Sequence, residues 1–337
     1  MFLESDWVEK INFYTRNGIK FIFIIDYEME RPIVLRLSEV SETNIFCIKY
    51  FIDGAKNYDV SHDNSLDNIF GEKEPRIEKH PVPFEIYKKA FDNVIRNQKD
   101  GNSYLLNLTF KNPVKINFNL EKIFFKSPSQ YKLYFKDEES EFVLFSPETF
   151  INITEDKIFT YPIKGTIDAD VSDARKILLN DKKEIAEHLT VVDLLRNDLN
   201  IVCSGVNVKR FCFIENIKTN FGGLLQMTSE IEGKVKPNLA RRFGDILFSM
   251  LPAGSICGAP KRKTLDIIKE TESGKRGYYT GVFGIYDGKN LRSSIMIRFI
   301  EKKEGGDCFY RSGGGITVYS NVKKEYDEMV KKIYIPI

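Results

Sequence analysis

The sequence is poor in cysteine, histidine and tryptophan. Its 337 residues include five cysteines, three histidines and one tryptophan. The cysteines are scattered and never spaced as C-x-x-C, so neither a disulfide framework nor a thiolate zinc site is expected. This usage predicts a reduced, cytoplasmic protein.

Long apolar runs and an excess of either charge are also absent. The longest apolar run near the start, residues 21–25, is far shorter than the roughly 20 residues that span a bilayer. Acidic residues at positions 4, 6 and 9 stand where a secretory leader would need basic and then apolar ones, so no signal peptide is expected. Because 50 basic residues balance 48 acidic ones, no overall field would recruit nucleic acid or anionic lipid. We therefore predict neither a membrane nor a nucleic-acid partner.

The apolar pattern that is present predicts an α+β protein. Runs rich in β-branched and aromatic residues predict strands within residues 19–51, 103–110, 131–160 and 280–312. Helical spacing appears at residues 84–98, 172–179, 182–197, 238–250, 261–272 and 323–332. Grouped helices with many strands favour large antiparallel sheets over a doubly wound parallel sheet. We expect one domain, 1–337, with a strand-rich part (1–83), a loop at 57–83, and a catalytic region (84–335).

One stretch, Tyr161-Pro162-Ile163-Lys164-Gly165-Thr166, places a lysine beside an open backbone. Proline restricts the residue before it to extended geometry, and glycine allows a turn or a close approach to a ligand. The sequence therefore predicts a positioned amine at a strand-to-loop junction. Most isolated Lys-Gly pairs are ordinary turns, so this interpretation depends on the segments that follow.

Two of the predicted helices each carry glutamates three residues apart. These are Glu184 with Glu187, and Glu325 with Glu328. Such a pair projects from one helix face at a spacing suited to a hard cation such as Mg²⁺ or to its coordinated waters. A solvated helix face shows the same spacing, so a metal site requires that the two helices meet.

Further candidates are two glycine-rich stretches and one arginine. The stretch at residues 254–261 lacks the G-x-x-x-x-G-K-[ST] spacing of a phosphate-binding loop, which argues against nucleotide binding there. Gly313-Gly314-Gly315 is predicted to be a turn that approaches a ligand closely. Arg298, predicted to end an apolar strand, is either a solvated edge residue or an anion contact.

Taken in order, these stretches resemble the chorismate-utilising enzymes, which include anthranilate, aminodeoxychorismate, isochorismate and salicylate synthases. The resemblance spans about residues 84–335 and is looser before them. The matching motifs are Ser146-Pro147-Glu148, residues 162–166, 186–198, 251–261, 279–281, 297–298 and 313–328. The resemblance implies antiparallel sheets packed as a sandwich, with helices on the outside.

The resemblance also implies a role for each candidate residue. Lys164 would be the nucleophile that attacks C2 of chorismate, and Glu148 the general acid that protonates the departing C4 hydroxyl. Mg²⁺ would bind Glu187 and Glu328 directly, and would hold the ring carboxylate of chorismate. The residues implied to bind Mg²⁺ through water are Glu184 and Glu325, and those implied to contact substrate are Tyr279, Arg298, Gly165, Thr166, Gly315 and Lys332.

Within this family, Lys164 favours the aminodeoxychorismate synthases, because the anthranilate, isochorismate and salicylate synthases carry alanine there. The implied reaction converts chorismate and ammonia to 4-amino-4-deoxychorismate, towards p-aminobenzoate and folate. An amine attacks only when it is unprotonated, so Lys164 is expected to be partly buried or close to other cations. The alternative is anthranilate synthase component I, which shares every feature except this lysine. A catalytically inactive chorismate-binding or docking protein is disfavoured, because all these groups are present.

Three positions depart from the pattern, and one function is missing. Leu105 stands where relatives have Gln or Lys, Gln226 where many have His, and His188 is typical of anthranilate synthases.

No segment has the cysteine elbow and downstream His-x-Glu of a glutaminase. A separate glutamine amidotransferase subunit is therefore expected to dock on this chain and to deliver ammonia.

Overall fold

The structure is a computed structural model that describes residues 6–43, 45–58, 75–219 and 222–336. The helices of these residues are α1 Asp6–Arg16, α2 Phe84–Lys99, α3 Leu120–Lys126, α4 Ala174–Asn180, α5 Lys182–Val202, α6 Phe243–Met250, α7 Gly254–Cys257, α8 Lys261–Thr271 and α9 Val322–Lys331. Across the described ranges, none of them is both long and apolar enough to cross a bilayer. The helices predicted by apolar spacing are confirmed, although α5 runs five residues further and α6 begins five residues later than expected.

Strands contribute more residues than helices do to the part of the chain that the structure describes. They are β1 Phe21–Ile25, β2 Ile33–Arg36, β3 Cys47–Ile52, β4 Ala55–Lys56, β5 Ile77–Lys79, β6 Leu105–Ile116, β7 Tyr131–Lys136, β8 Glu141–Ser146, β9 Thr149–Thr154, β10 Lys157–Thr160, β11 Ile163–Asp168, β12 Cys203–Thr219, β13 Gly222–Val235, β14 Gly258–Ala259, β15 Val282–Tyr286, β16 Leu291–Ile295, β17 Phe299–Lys302 and β18 Cys308–Ile316. The prediction of an α+β protein with large antiparallel sheets is confirmed.

The first sheet has the order β11-β13-β10-β9-β16-β15-β1-β2, with β12 beside β13. Strands β1 and β15 lie inside it and pair antiparallel from Phe21↔Tyr286 to Ile25↔Val282. Every residue of both strands is buried. This burial on both faces explains why β1 is a continuous apolar run and does not alternate.

The second sheet has the order β14-β6-β18-β17-β8-β7-β3-β4, with β5 beside β6. Its long pair β6 and β18 runs antiparallel from Cys308↔Val114 to Ile316↔Leu106. Side chains of the sheet pack with α3 into a core that includes Phe124, Phe145 and Tyr310.

The chain groups into two compact units, each built from three separate stretches. The first comprises residues 1–34, 148–255 and 281–295, and the second comprises residues 35–147, 256–280 and 296–337. Both draw on the early strand-rich region and on later segments. That the chain acts as one domain stays a prediction.

Three local predictions were wrong. Lys164 does not lie at a strand-to-loop junction but inside β11, where the pairing with β13 shifts between Lys164 and Thr166. The three successive glycines are not a turn but lie within β18, opposite residues 107–109 of β6. Arg298 does not end a strand but lies between β16 and β17, at a φ of +54°.

Other elements were not predicted. Helices α1 and α3 and the long hairpin of β12 and β13 had no assignment, and β5 lies in the stretch expected to be a loop. Much of that loop prediction, at residues 59–74, lies outside the described residues. The hairpin carries many charged side chains, among them Lys209, Arg210, Glu230 and Glu232, which obscure an apolar strand pattern.

Candidate active site

The candidate nucleophile lies on a bulged edge strand of the first unit. Strand β11 pairs with β13 through Lys164↔Met227 and Thr166↔Gln226, which leaves Gly165 without an opposing residue. Gly165 has a φ of +66°, a conformation that glycine adopts at little cost. Lys164 and Thr166, both candidate site residues, therefore stand on either side of the bulge.

Lys164 faces helix α5. Its Nζ lies 3.8 Å from a carboxylate oxygen of Glu187, and about a third of each side chain is exposed. The expected partial burial of the lysine is therefore present, but its nearest charged partner is a carboxylate and not a cation. A partly exposed ammonium and carboxylate at this distance form a weak ion pair, because solvent screens the attraction between their charges.

The second glutamate of this helix lies beside the bulge. A Cβ built on Gly165 would be 3.5 Å from Glu184 Oε2 and 3.2 Å from Leu178 Cδ2. The Glu184 backbone N–H donates to the Asp181 side chain (3.1 Å), which holds the first turn of α5. The structure thus brings Glu184 and Glu187 to the segment that carries Lys164 and Gly165.

His188 fixes α5 against the same sheet. Its imidazole is fully buried, and its Nε2 lies 2.6 Å from Ser229 Oγ on β13. That hydroxyl also accepts a hydrogen bond from the Cys212 backbone N–H (3.0 Å). Burial, with the nearby Lys164 ammonium, lowers the pKa of His188 to about 4, so the imidazole is neutral near pH 7. The contact anchors the imidazole to β13.

Glu148, the candidate acid, stands just before β9. Its carbonyl oxygen accepts hydrogen bonds from the Ile295 backbone N–H (3.1 Å) and the Ser294 hydroxyl (2.7 Å). These bonds fasten its backbone to the end of β16. The side chain is partly exposed, as a group that exchanges protons with a substrate needs to be.

In the second unit, Tyr279 and Arg298 lie on irregular segments. Burial raises the pKa of Tyr279 to about 12, and the Arg298 guanidinium is one of the charges that oppose this shift. The Arg298 guanidinium stacks 5.3 Å from the Tyr334 ring centre. Its buried Nε has no hydrogen-bond partner among the described residues. A buried cationic donor of this kind suits a carboxylate ligand.

The glycines of β18 let two chain segments approach closely. A Cβ built on Gly313 would collide with the Leu108 carbonyl, and one on Gly315 would lie 3.0 Å from Leu105 Cδ1. Leu105 therefore occupies the space beside Gly315. An apolar side chain here offers no base, so a hydroxide-delivering role for this position has no support.

Helix α9 brings its two glutamates and Lys332 to the middle glycine. The point where a Cβ of Gly314 would stand is 3.6 Å from Lys332 Nζ, 3.7 Å from Glu328 Oε1 and 3.9 Å from Glu325 Oε2. Lys332 Nζ also pairs with Glu328 (2.8 Å) and donates to the Gly313 carbonyl (3.0 Å). The missing side chain leaves open a space beside two carboxylates and an ammonium.

The donor set fits a hard cation. Each unit offers a glutamate pair whose oxygens Mg²⁺ prefers, and Gly314 leaves room beside one of these pairs. Lys332 now supplies the positive charge next to Glu328. Within the described part of either unit, no three or more His, Cys, Asp or Glu side chains are grouped closely enough to hold a metal by themselves. Mg²⁺ binding stays a prediction.

Sequence reasoning missed two groups near these residues. Ser229, the partner of His188, lies 41 positions along the chain in a hairpin that had no assignment. A buried pair, Glu272 and Arg276, lies shortly before Tyr279 in sequence. Its i, i+4 spacing was a signal that could have been noticed, although α8 ends before it.

Comparisons with known sequences identify a family. The family model of the chorismate binding enzymes matches residues 19–337. An uncharacterized PabA-like protein of Haemophilus influenzae is 45% identical over 331 residues, 98% of this chain and 96% of that protein. Aminodeoxychorismate synthase component 1 of Bacillus subtilis is 30% identical over 270 residues, 75% of this chain and 55% of that protein. Anthranilate synthase component 1 of Arthrobacter globiformis is 36% identical over 225 residues, 63% and 41% of the respective chains.

Solved structures agree on the fold. Anthranilate synthase component I from Streptococcus pneumoniae superposes with a TM-score of 0.67 at 19% identity, covering 93% of this chain and 89% of that one. The menaquinone-specific isochorismate synthase of Escherichia coli superposes with a TM-score of 0.70 at 14% identity, covering 97% of this chain and 80% of that one. At these identities the likeness concerns the fold and not the substrate.

Proposed function

Since the chain belongs to the chorismate binding enzyme family, we propose that it is an aminodeoxychorismate synthase component 1, which converts chorismate and ammonia to 4-amino-4-deoxychorismate. The observation that carries the proposal is the position of Lys164. Its amine projects from a bulged strand towards α5. Anthranilate formation, the alternative reaction, needs no nucleophile at this position. The product would serve p-aminobenzoate and folate synthesis.

The proposed reaction begins with attack of the unprotonated Lys164 amine on C2 of chorismate. The ring double bond shifts, the C4 hydroxyl departs, and Glu148 gives it a proton so that water leaves. Ammonia then adds at C4, the double bond shifts back and the lysine amine is expelled. The added nitrogen gives up one proton, which returns Glu148 to its acid form, so that the sum is chorismate plus ammonia giving aminodeoxychorismate plus water.

Binding of the substrate rests on its two carboxylates. We assign the enolpyruvyl carboxylate to Tyr279 and Arg298, because the buried Arg298 Nε has a hydrogen bond to give. Gly165, Thr166, Gly315 and Lys332 would contact the rest of the molecule. Mg²⁺, when bound by Glu187 and Glu328 and through water by Glu184 and Glu325, would supply a positive charge for the ring carboxylate.

Anthranilate synthase component 1 is the second candidate. The observation that favours it is His188, which is neutral, buried and bonded to Ser229. The relative from Arthrobacter globiformis also matches at an identity comparable to that of the aminodeoxychorismate enzyme. Lys164 argues against this candidate, since anthranilate formation requires no amine at that position.

Product analysis distinguishes the candidates. The purified chain is incubated with chorismate, Mg²⁺ and an ammonium salt, and the products are separated by chromatography. We expect aminodeoxychorismate, which a lyase converts to p-aminobenzoate. Fluorescent anthranilate as the main product would refute the proposal in favour of the second candidate, and intact chorismate would indicate an inactive binding protein.

We also propose that a separate glutamine amidotransferase subunit supplies the ammonia. The support is the naming of several relatives as component 1 and of another as PabA-like. Free ammonia is scarce near neutral pH, because most of it is protonated. The chain alone should therefore make product with concentrated ammonium salt but not with glutamine. Robust turnover of glutamine by the purified single chain would rule the subunit out.

A further inference from the structure

A buried arginine in the second unit lies outside every role assigned so far. Arg276 is 2% exposed and pairs with Glu272, which is 6% exposed. The pair is bidentate, with Nε donating to Oε2 at 2.9 Å and Nη2 to Oε1 at 2.7 Å. A fork of this kind fixes the direction of the guanidinium as well as its position.

The pair joins three chain segments. Arg276 Nη1 donates to the Ile256 carbonyl (2.8 Å), and Nη2 donates to the Asn107 carbonyl (2.7 Å). Glu272 Oε1 accepts from both the backbone N–H (2.8 Å) and the hydroxyl (3.0 Å) of Thr109. Asn107 and Thr109 are the β6 residues opposite Gly315 and Gly313. The pair therefore holds the strand against which the glycine segment lies.

The fourth segment held by the pair is strained. Thr280 has a φ of +62°, which a β-branched residue adopts only under constraint. Arg276 Nη1 lies 3.4 Å from Thr280 Oγ1, and that hydroxyl donates to the Tyr279 carbonyl (2.6 Å). The Thr280 backbone N–H donates to the Met296 carbonyl (2.8 Å), two residues before Arg298. Arg298 itself has a φ of +54°.

Stability alone does not account for this arrangement. A buried ion pair often adds little to folding, because the loss of hydration offsets the attraction between the charges. What such a pair does provide is fixed geometry for the groups that it contacts. Of the two side chains assigned to a substrate carboxylate, Tyr279 directly precedes the strained Thr280, and Arg298 is itself strained. Strain of this kind gathers at functional sites.

We infer that Arg276 and Glu272 are positioning residues that hold Tyr279 and Arg298 for the enolpyruvyl carboxylate of the substrate. The inference rests on the proposed chorismate site. It does not depend on which product forms. Neither residue touches the substrate in this scheme. Both act through Thr280 and through the β6 carbonyl and amide groups.

The test compares two small ligands that differ in the enolpyruvyl group. One probe is 3-(1-carboxyvinyloxy)benzoate, and the other is 3-hydroxybenzoate, which keeps only the ring carboxylate. Dissociation constants are measured by calorimetry or ligand-observed NMR, with Mg²⁺, for the wild type, Arg276→Lys and Glu272→Gln. The matched control is Glu301→Gln, which removes the carboxylate that pairs with Lys111 and Arg311 in the same unit.

Arg276→Lys keeps the charge but loses the fork. We expect the dissociation constant of the enolpyruvyl probe to rise about 10- to 100-fold, as it does when binding groups are misplaced. The dissociation constant of 3-hydroxybenzoate should change less than about threefold. Glu272→Gln should act in the same direction but less strongly, and Glu301→Gln should leave both constants unchanged. Thermal unfolding of each variant reports whether the fold is kept.

Several results would overturn the inference. If the pair variants bind both probes equally more weakly, or if neither variant binds the enolpyruvyl probe more weakly than the wild type, the pair does not position the enolpyruvyl site. Loss of a cooperative melt in both pair variants would mean that the pair is structural only. If the wild type makes anthranilate, the proposed function fails but the inference stands. If the wild type binds neither probe nor chorismate, both fail.

Discussion

Replacement of Lys164 by alanine tests the proposed chemistry most directly. The variant should lose aminodeoxychorismate formation, because no amine remains to attack C2. Any residual product should shift towards anthranilate, since alanine is the residue of the anthranilate enzymes. Removal of a covalent nucleophile typically lowers turnover by at least about 10³-fold.

The fold should survive this substitution. Lys164 Nζ pairs with Glu187 at 3.8 Å, between side chains that are 34% and 37% exposed. Solvent screens such a pair, so its loss should cost no more than about 1 kcal/mol of the free energy of unfolding. The bulge itself depends on Gly165 and on backbone pairing with β13, both of which the variant keeps.

The assay follows both products by chromatography, with thermal unfolding measured in parallel. Lys157→Ala is the matched control, because Lys157 lies on β10 of the same sheet and also pairs with a glutamate, Glu232, at 3.4 Å. The control should keep wild-type activity. A Lys164→Ala variant that folds and retains the wild-type rate and product would refute the nucleophile assignment.

Three further outcomes are expected. Glu148→Gln should keep chorismate binding but lower turnover by about 10²–10⁴-fold, as loss of a general acid does; a change in KM alone would make it a binding residue. Glu187→Ala or Glu328→Ala should abolish Mg²⁺-dependent chorismate binding measured by calorimetry, and normal binding by either would contradict the metal site. Because the pKa of His188 is lowered to about 4, the stability that its neutral form contributes should be fully present above about pH 6.5 and be lost as the pH falls towards 4. Titration of the imidazole by NMR, assigned with His188→Gln, checks this, and protonation above pH 6 would contradict it.

Sequence reasoning succeeded where the signal is local. Helix α2 was predicted almost to the residue, because apolar side chains such as Phe91 and Val94 recur at helical spacing and are buried. The glutamates of α5 and α9 were placed on single helix faces because residues three apart lie on the same side of a helix. The continuous apolar run of β1 predicted a strand. The run is continuous because both faces of that strand are covered.

Prediction failed where tertiary contacts decide the conformation. Nothing near Arg298 in sequence requires a positive φ, and the chain breaks between β16 and β17 because Phe299 begins pairing with Leu144 and Arg311 of other strands. Ser229 was unpredictable as a partner of His188, because the two residues lie 41 positions apart and meet through the packing of α5 on β13.

The three glycines show how a motif can indicate chemistry correctly and geometry wrongly. Glycine occurs in turns because it tolerates unusual backbone angles, and in strands because it allows close approach, and the sequence does not distinguish these two reasons. The second reason applies here, since a side chain on Gly313 would meet the Leu108 carbonyl and one on Gly314 would fill the space beside Glu328. The requirement for an open backbone near the glutamates follows from either interpretation. A strand meets it more rigidly than a turn, because β6 holds each glycine in register and Arg276 and Glu272 in turn hold β6.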